Sequence, residues 1–91
     1  MAKINFQQFS IPTGIDRSRH QTGDARESVA NMLYLNVNGI RAHALAMKIY
    51  RSEGETEYTD EEVRTLREVA GTYATPAFID GLTEQLEGGA S

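Results

Sequence analysis

The amino-acid sequence predicts one mainly α domain over residues 1–91, with three to four short helices and an N-terminal arm that is a candidate for a small strand. Its length of 91 residues is typical of a single domain. Two segments open with capping-box patterns and continue with apolar residues at helical spacing. Alternation of polar and apolar residues is confined to the arm. If the arm is a paired strand, the alternative class is α+β.

The arm alternates at its start, so Ile4 and Phe6 would share one face of a strand. A single strand cannot satisfy its own backbone groups, and the best candidate partner is the segment 55–59; a dimer partner or a ligand chain is the other option. The following residues, 10–23, are rich in glycine and small polar side chains and have no period. We predict an irregular loop there, and loops of this length are typically functional or mobile.

The first helix is predicted to begin at Asp24, with Glu27 at the capping-box position. Its apolar stripe is Val29, Met32, Leu33 and Val37. The sequence Asn-Val-Asn-Gly over residues 36–39 interrupts the pattern, because Asn-Gly favours positive φ and glycine weakens a helix. We predict a helix end near Leu35 and a turn; a kink in one longer helix is the alternative.

Three further features complete the pattern. Residues 40–51 form a second helix that is apolar over much of its circumference, which is typical of a central core helix. Thr59 caps a third helix with Glu62 as its capping-box partner, and Thr75-Pro76 opens a fourth. Residues 88–91 are predicted to be a disordered tail. The third helix should bury Val63, Leu66, Val69, Ala70 and Tyr73. The core as a whole is predicted to be Val29, Met32, Leu33, Ile40, Leu45, Ile49, Val63, Leu66, Val69, Phe78, Ile79 and Leu82.

Composition narrows the classes of function. With 13 acidic and 9 basic side chains, the net charge of −4 argues against a general nucleic-acid binder. The chain has no cysteine, and therefore no disulfide framework and no thiolate metal site. Its first residues lack the apolar run of a signal peptide, and no stretch approaches the ~20 apolar residues of a membrane span. We expect a cytoplasmic protein that uses no membrane, cofactor or metal.

Neither the histidines nor the acidic run completes a catalytic or metal-binding pattern. A metal site needs three or four converging ligands, and nothing three or four residues from His43 can ligate. His43 is therefore expected to be a core or interface histidine bonded to a backbone carbonyl. The acidic run from Glu53 lacks the Gly and Glu of a calcium loop, whose sixth and twelfth places hold Tyr58 and Arg64. No Gly-x-Ser-x-Gly elbow is present, so no enzyme is predicted.

The leading hypothesis is a non-enzymatic protein-interaction module, an accessory, adaptor or inhibitor protein, whose partner is another protein or a second copy. Aromatic and Arg side chains most often dominate binding energy, so the candidate contacts before the first helix are Phe6, Phe9, Arg17, Arg19 and His20. In the rival view the arm's aromatic side chains complete the core of a domain that is too small without them.

Two further hypotheses stay open. A nucleic-acid-associated regulator would use the basic segment 17–26, beside which a phosphate could sit near a helix start. A small ligand-binding domain or enzyme would use His43 and Tyr50.

Overall fold

The computed structural model describes residues 2–88. Its elements in chain order are β1 (Ala2–Ile4), β2 (Phe9–Pro12), β3 (His20–Gly23), α1 (Arg26–Asn36), α2 (Ile40–Tyr50), β4 (Thr56–Tyr58), α3 (Asp60–Tyr73) and α4 (Pro76–Gly88). The strands of this part of the chain form two separate antiparallel pairs, β1–β4 and β2–β3. Four helices with two small sheets fit the α+β class better than the mainly α class.

The N-terminal arm is a strand and pairs with the predicted segment. Ala2 lies opposite Tyr58 and Ile4 lies opposite Thr56. The side chains of Ile4 and Tyr58 point into the core and are almost fully buried. Lys3, which precedes Ile4 on β1, is exposed. This is the alternation expected of a strand with one face on the core.

Residues 10–23 are not an irregular loop. Phe9 pairs with Gly23 and Pro12 with His20, so β2 and β3 form a hairpin joined by the exposed loop 13–19. Periodicity could not reveal β3, because the sequence His-Gln-Thr-Gly has no apolar residue and all four residues are exposed. A strand is recognised from sequence by its buried face, and β3 has none.

The start of the first helix also differs from the prediction. α1 begins at Arg26, and Ala25 precedes it without any side-chain cap. The Asp24 carboxylate instead accepts from the backbone N–H of Arg26 and from its guanidinium. Asp24 thus closes a tight turn into the helix rather than capping it. The break between α1 and α2 is a turn, with Gly39 at a φ of 112°.

The third and fourth helices begin as predicted. Thr59 Oγ1 accepts from the Glu62 N–H at 3.1 Å, and the Glu62 carboxylate accepts from the Thr59 N–H at 2.8 Å. Thr75 Oγ1 accepts from the Phe78 N–H at the start of α4. That helix extends to Gly88, which was predicted to belong to the tail. The rest of the predicted tail, 89–91, lies outside the described residues.

One core joins both sheets to all four helices. Its largest fully buried side chains are Ile4, Phe6, Phe9, Val29, Leu33, Ile49, Tyr58, Leu66 and Leu82. Two residues that were predicted to be buried are exposed: Ile40 is 84 % exposed and Tyr73 is 53 % exposed. Four others from the predicted core are half-buried, namely Met32, Val63, Phe78 and Ile79. α2 turns Ala42, Leu45, Ala46 and Ile49 inward, which leaves Ile40 on the opposite side of its first turn. No helix within residues 2–88 is long and apolar enough to cross a membrane.

Candidate functional site

The hairpin β2–β3 carries the residues that remain candidates for binding. Its loop 13–19 is exposed throughout, and the Ile15 side chain at the tip is fully exposed. Arg17, Arg19 and His20 lie together on this loop and at the start of β3. Arg17 adopts a left-handed φ of 58°. The structure therefore brings three of the five predicted contact residues to one projecting element.

Phe6 and Phe9 are the other two predicted contacts, and the structure corrects their role. They are 0 % and 1 % exposed, and their ring centroids lie 5.5 Å apart. Phe6 also meets the edge of Tyr58, and Phe9 contacts Phe78 of α4. Both rings complete the small core, as the rival view expected, so neither can present its face to a partner in the folded domain.

The two hairpin arginines have no acidic partner within the described chain. Among residues 2–88, no carboxylate lies within 4.0 Å of the guanidinium of Arg17 or Arg19. The neighbouring Asp16 carboxylate accepts from the backbone N–H and the hydroxyl of Ser18, and these bonds lower the pKa of Asp16. Both guanidiniums are thus available to an external carboxylate or phosphate.

His20 is held differently. Its Nε2 lies 3.1 Å from the Glu84 carboxylate on α4. The contact joins the start of β3 to α4, and both side chains are partly exposed. We infer that the contact of His20 with Glu84 fixes the hairpin against α4. We assign His20 this structural role rather than that of a contact for a partner.

The hydrogen-bond pattern of the hairpin shows which backbone groups point outward. Thr13 donates its N–H to the Arg19 carbonyl at 2.9 Å, and bonded and non-bonded pairs alternate along an antiparallel ladder. The bonded pairs are therefore Ile11–Gln21 and Phe9–Gly23, and the non-bonded pairs are Ser10–Thr22 and Pro12–His20. The short 3.0 Å contact between the Ser10 and Thr22 hydroxyls agrees, since side chains are closer in non-bonded pairs.

The outer edge of β2 is covered by α4. A Cβ placed on Gly81 would lie only 2.6 Å from the Ser10 carbonyl oxygen. The α4 backbone therefore lies directly against the edge at which Ser10 points outward. Pro12 stands at the other outward position of β2, where its missing N–H leaves no ladder bond unmade.

Within residues 2–88, no further strand pairs with the outer edge of β3. His20 and Thr22 point their backbone N–H and C=O groups away from β2, by the alternation described above. Every residue of β3 is exposed. An unpaired edge of this kind is a template for another strand.

A groove runs beside β3, between the hairpin, α1 and the start of α4. It has a volume of about 510 Å³ and includes Ile11, Val29 and Phe78 in its lining. A hollow of about 450 Å³ shares those three side chains and extends past Met32 to Tyr73. Together they form one largely apolar groove, which we call the β3 groove.

The β3 groove carries almost no net charge. Asp24 is the one charged side chain that lines it within the described part of the chain. Its carboxylate lies 2.7 Å from the Arg26 guanidinium, and the side-chain bond from Arg26 lowers the pKa of Asp24. The positive charge of Arg26 therefore offsets the negative charge of Asp24 in the groove. The groove suits uncharged apolar groups.

His43 is not in the core. It is exposed on α2, and its ring lies 5.9 Å from that of Tyr34. Tyr50 is seven residues further along the same helix, roughly 10 Å along its axis. Across residues 2–88, no three His, Cys, Asp or Glu side chains are grouped to hold a metal ion.

A second exposed apolar surface lies where α1 meets α2. Tyr34, Leu35 and Ile40 are all more than half exposed there. Ile40 was predicted to lie in the core, whereas Tyr34 and Leu35 lie outside the apolar stripe that was predicted for the first helix.

Comparison of the chain with models of protein families, with curated protein sequences and with solved structures gave no match. The function is therefore inferred from the residues of the hairpin and the groove.

Proposed function

We propose that this protein is a small non-enzymatic interaction module that binds another protein through the β2–β3 hairpin. The observation that carries the proposal is the edge of β3, with which no further strand of residues 2–88 pairs, together with two neighbouring arginines whose guanidiniums have no carboxylate within 4.0 Å in that part of the chain. An exposed strand edge offers backbone hydrogen bonds to a partner. Arg17 and Arg19 add the side-chain type most often found at the centre of binding sites.

The hairpin is suited to this role because contacts with the rest of the domain hold it both at its base and next to its loop. Phe9 anchors β2 in the core, and His20 is braced by Glu84. A surface that is already ordered loses less conformational entropy when a partner binds. An accessory, adaptor or inhibitor protein would act through such a preformed surface. A cytoplasmic location is part of the proposal and is tested by fractionation of the source cells.

The proposal is tested by capture of partners from an extract of the source cells. Tagged wild-type protein is compared with the double variant Arg17→Ala, Arg19→Ala. The matched control is Arg64→Ala, Arg67→Ala, which removes two exposed arginines from α3. We expect a defined set of proteins to be retained by the wild type and the control and lost by the hairpin variant. Retention of every protein by the hairpin variant would contradict the proposal.

Nucleic acid is a second candidate partner, favoured by one observation. A projecting hairpin that carries Arg17, Arg19 and an exposed Ile15 has the composition of arms that enter a minor groove. Arg26 does not extend this basic surface, because it bonds to Asp24 and to the Ser52 carbonyl. A gel-shift assay separates the candidates: binding to duplex DNA or RNA that falls steeply with salt and is lost in the hairpin variant would favour nucleic acid.

A further inference from the structure

We infer that the β3 edge accepts one extended segment of a partner protein as an added antiparallel strand. That segment has apolar side chains at alternate positions, followed by an acidic residue. The inference rests on the proposed function and specifies the chemistry of its partner.

The backbone of β3 provides the first part of the recognition. The N–H and C=O groups of His20 and Thr22 point outward, and β3 is exposed along its whole length. A strand laid beside β3 would bond to these groups without disturbing the ladder to β2. The existing sheet is antiparallel, and antiparallel pairs outnumber parallel ones, so we assign the added strand that direction.

The β3 groove provides the second part. Successive side chains of an added strand point to opposite faces, so every second one would face the groove and its apolar lining of Ile11, Val29 and Phe78. The remaining side chains would face water. Small or medium apolar residues at alternate positions match this lining, and a uniformly polar segment would leave it uncovered.

Charge complementarity provides the third part. Arg19 directly precedes β3 and Arg17 lies two residues earlier in the loop, and neither guanidinium has a carboxylate within 4.0 Å among the described residues. An antiparallel partner passes Arg19 after it has passed Thr22. An acidic residue after the apolar part of the segment would therefore reach these guanidiniums.

A second copy of the chain is the other occupant to weigh. Pairing between two β3 strands would satisfy the backbone edge. It would place only His, Gln, Thr and Gly side chains over the groove, because β3 has no apolar residue. Self-pairing would leave the apolar lining exposed, so a segment of different composition fits the site better.

The probe is the blocked peptide Thr-Val-Thr-Val-Thr-Val-Glu, which has the proposed pattern. A matched peptide replaces the three valines with serines, and another replaces the glutamate with serine. Binding to the full chain is measured by ¹⁵N–¹H NMR titration together with hydrogen exchange at the His20 and Thr22 amides. We expect saturable binding of the valine peptide with a Kd between about 1 μM and 1 mM and slower exchange at both amides. Replacing the glutamate should weaken binding by about two- to fivefold at low salt.

Two variants block the site without removing core side chains. Thr22→Pro deletes an outward N–H and leaves the bonded pairs of the ladder in place; its control, Thr22→Val, keeps the N–H and removes only the hydroxyl. Ser28→Trp fills the groove from an exposed position on α1. Its control is Asn31→Trp, which is also exposed on α1 and does not line the groove.

Thr22→Pro and Ser28→Trp should each weaken peptide binding at least about tenfold, and the controls should bind like the wild type. Ser28→Trp and amide exchange keep the test decisive if Thr22→Pro fails to fold. Equal binding of the valine and all-serine peptides, or binding unchanged by Ser28→Trp, would overturn the inference. So would a dimer in sedimentation that Thr22→Pro dissociates, because the edge would then serve self-association.

The same variants separate this inference from the proposed function. If extract partners are lost with Arg17→Ala, Arg19→Ala and retained with Ser28→Trp, the protein is an interaction module and the strand-addition inference is wrong. If those partners survive the double arginine variant, the proposed function fails, whatever the peptide does.

Discussion

The two small sheets of this protein are built alike and used differently. Each has two short antiparallel strands. In β1–β4, which we call the closed sheet, both strands bury a side chain, Ile4 on one and Tyr58 on the other. In β2–β3 only β2 does so, and β3 is exposed at every residue. Strand pairing alone therefore does not decide whether a sheet serves stability or offers a surface; the residues that cover its face and its edge decide that.

The difference separates the part of the molecule that holds the fold from the part that is free to bind. Residues 2–12 complete the core with large buried side chains, because a domain of this size has few others to bury. β3 and the loop before it add little buried area, so their sequence is constrained mainly by pairing with β2. Substitutions in each part test how far this separation holds.

The largest effect is expected from Phe6→Ala. Phe6 joins the two sheets, since its ring contacts Phe9 of β2 and Tyr58 of β4. Removing a fully buried ring leaves a cavity and should lower the free energy of unfolding by about 3–5 kcal/mol. Urea denaturation followed by circular dichroism measures it. Ile15→Ala at the hairpin tip is the control and should change the free energy by less than about 0.5 kcal/mol. Similar losses in both would show that the hairpin tip is part of the core after all.

The next effect concerns the contact that closes the β2 edge. Gly81→Ala would place a methyl group 2.6 Å from the Ser10 carbonyl oxygen. Backbone on both sides must move, and overpacking of this kind destabilises by about 1–3 kcal/mol. Gly71→Ala is the matched change in α3, where nothing lies within 4 Å; it should stabilise by about 0.5–1 kcal/mol through helix propensity. Thermal melts compare the two. If Gly81→Ala were as stabilising as Gly71→Ala, α4 would not cover β2.

The helices could be predicted from the sequence because their signals are local. The capping box of Thr59 and Glu62, the break before Gly39 and the start after Thr75 each depend on neighbouring residues. The pairing of the arm with segment 55–59 was predicted as well, because the arm alternates and a single strand needs a partner for its backbone groups. Asp24 was misread, since a carboxylate just before a helix can equally bond to the side chain that follows it.

The candidate site was predictable only in part. Arg17, Arg19 and His20 were selected from the sequence by residue type, and the structure brings them together. The β3 groove was not predicted, because it is assembled from residues of β2, α1 and α4 that are far apart in the chain. The exposure of Ile40 and Tyr73 could not be predicted either, because their spacing also fits a buried helical stripe.

A smaller effect is expected from pH at the end of the closed sheet. Partial burial raises the pKa of Glu62, but bonds from the Thr59 N–H and from Lys48 outweigh it, and the pKa lies below its ordinary value of 4.5. A lowered pKa in the folded state contributes stability above the unfolded pKa, and this is lost as the pH falls through the folded pKa. Glu62→Gln keeps the capping oxygen and removes the charge. Wild type should be the more stable at pH 7, by up to about 1 kcal/mol, and in urea titrations should lose that advantage as the pH falls below 4.5 and through the folded-state pKa. A difference that is constant with pH would show that the ion pair with Lys48 contributes nothing.

The smallest effect is expected from Tyr58→Phe, which tests whether the closed sheet tolerates an imperfect core. The Tyr58 hydroxyl is buried and makes no hydrogen bond of normal geometry within the described residues, although the Ser52 side chain lies close enough to oppose the rise in the Tyr58 pKa that burial causes. The Tyr58 ring packs against Phe6 and under the Lys48 ammonium. Removing an unsatisfied buried hydroxyl relieves a desolvation penalty and keeps the ring contacts. The variant should therefore be as stable as the wild type or more stable, by up to about 1 kcal/mol. Tyr58→Leu, which loses the ring, is the control and should be destabilising. A clear loss of stability in Tyr58→Phe, measured by urea midpoint, would mean that the hydroxyl is bonded in solution, either to Ser52 or through an ordered water, and the closed sheet would then depend on a polar contact as well as on apolar packing.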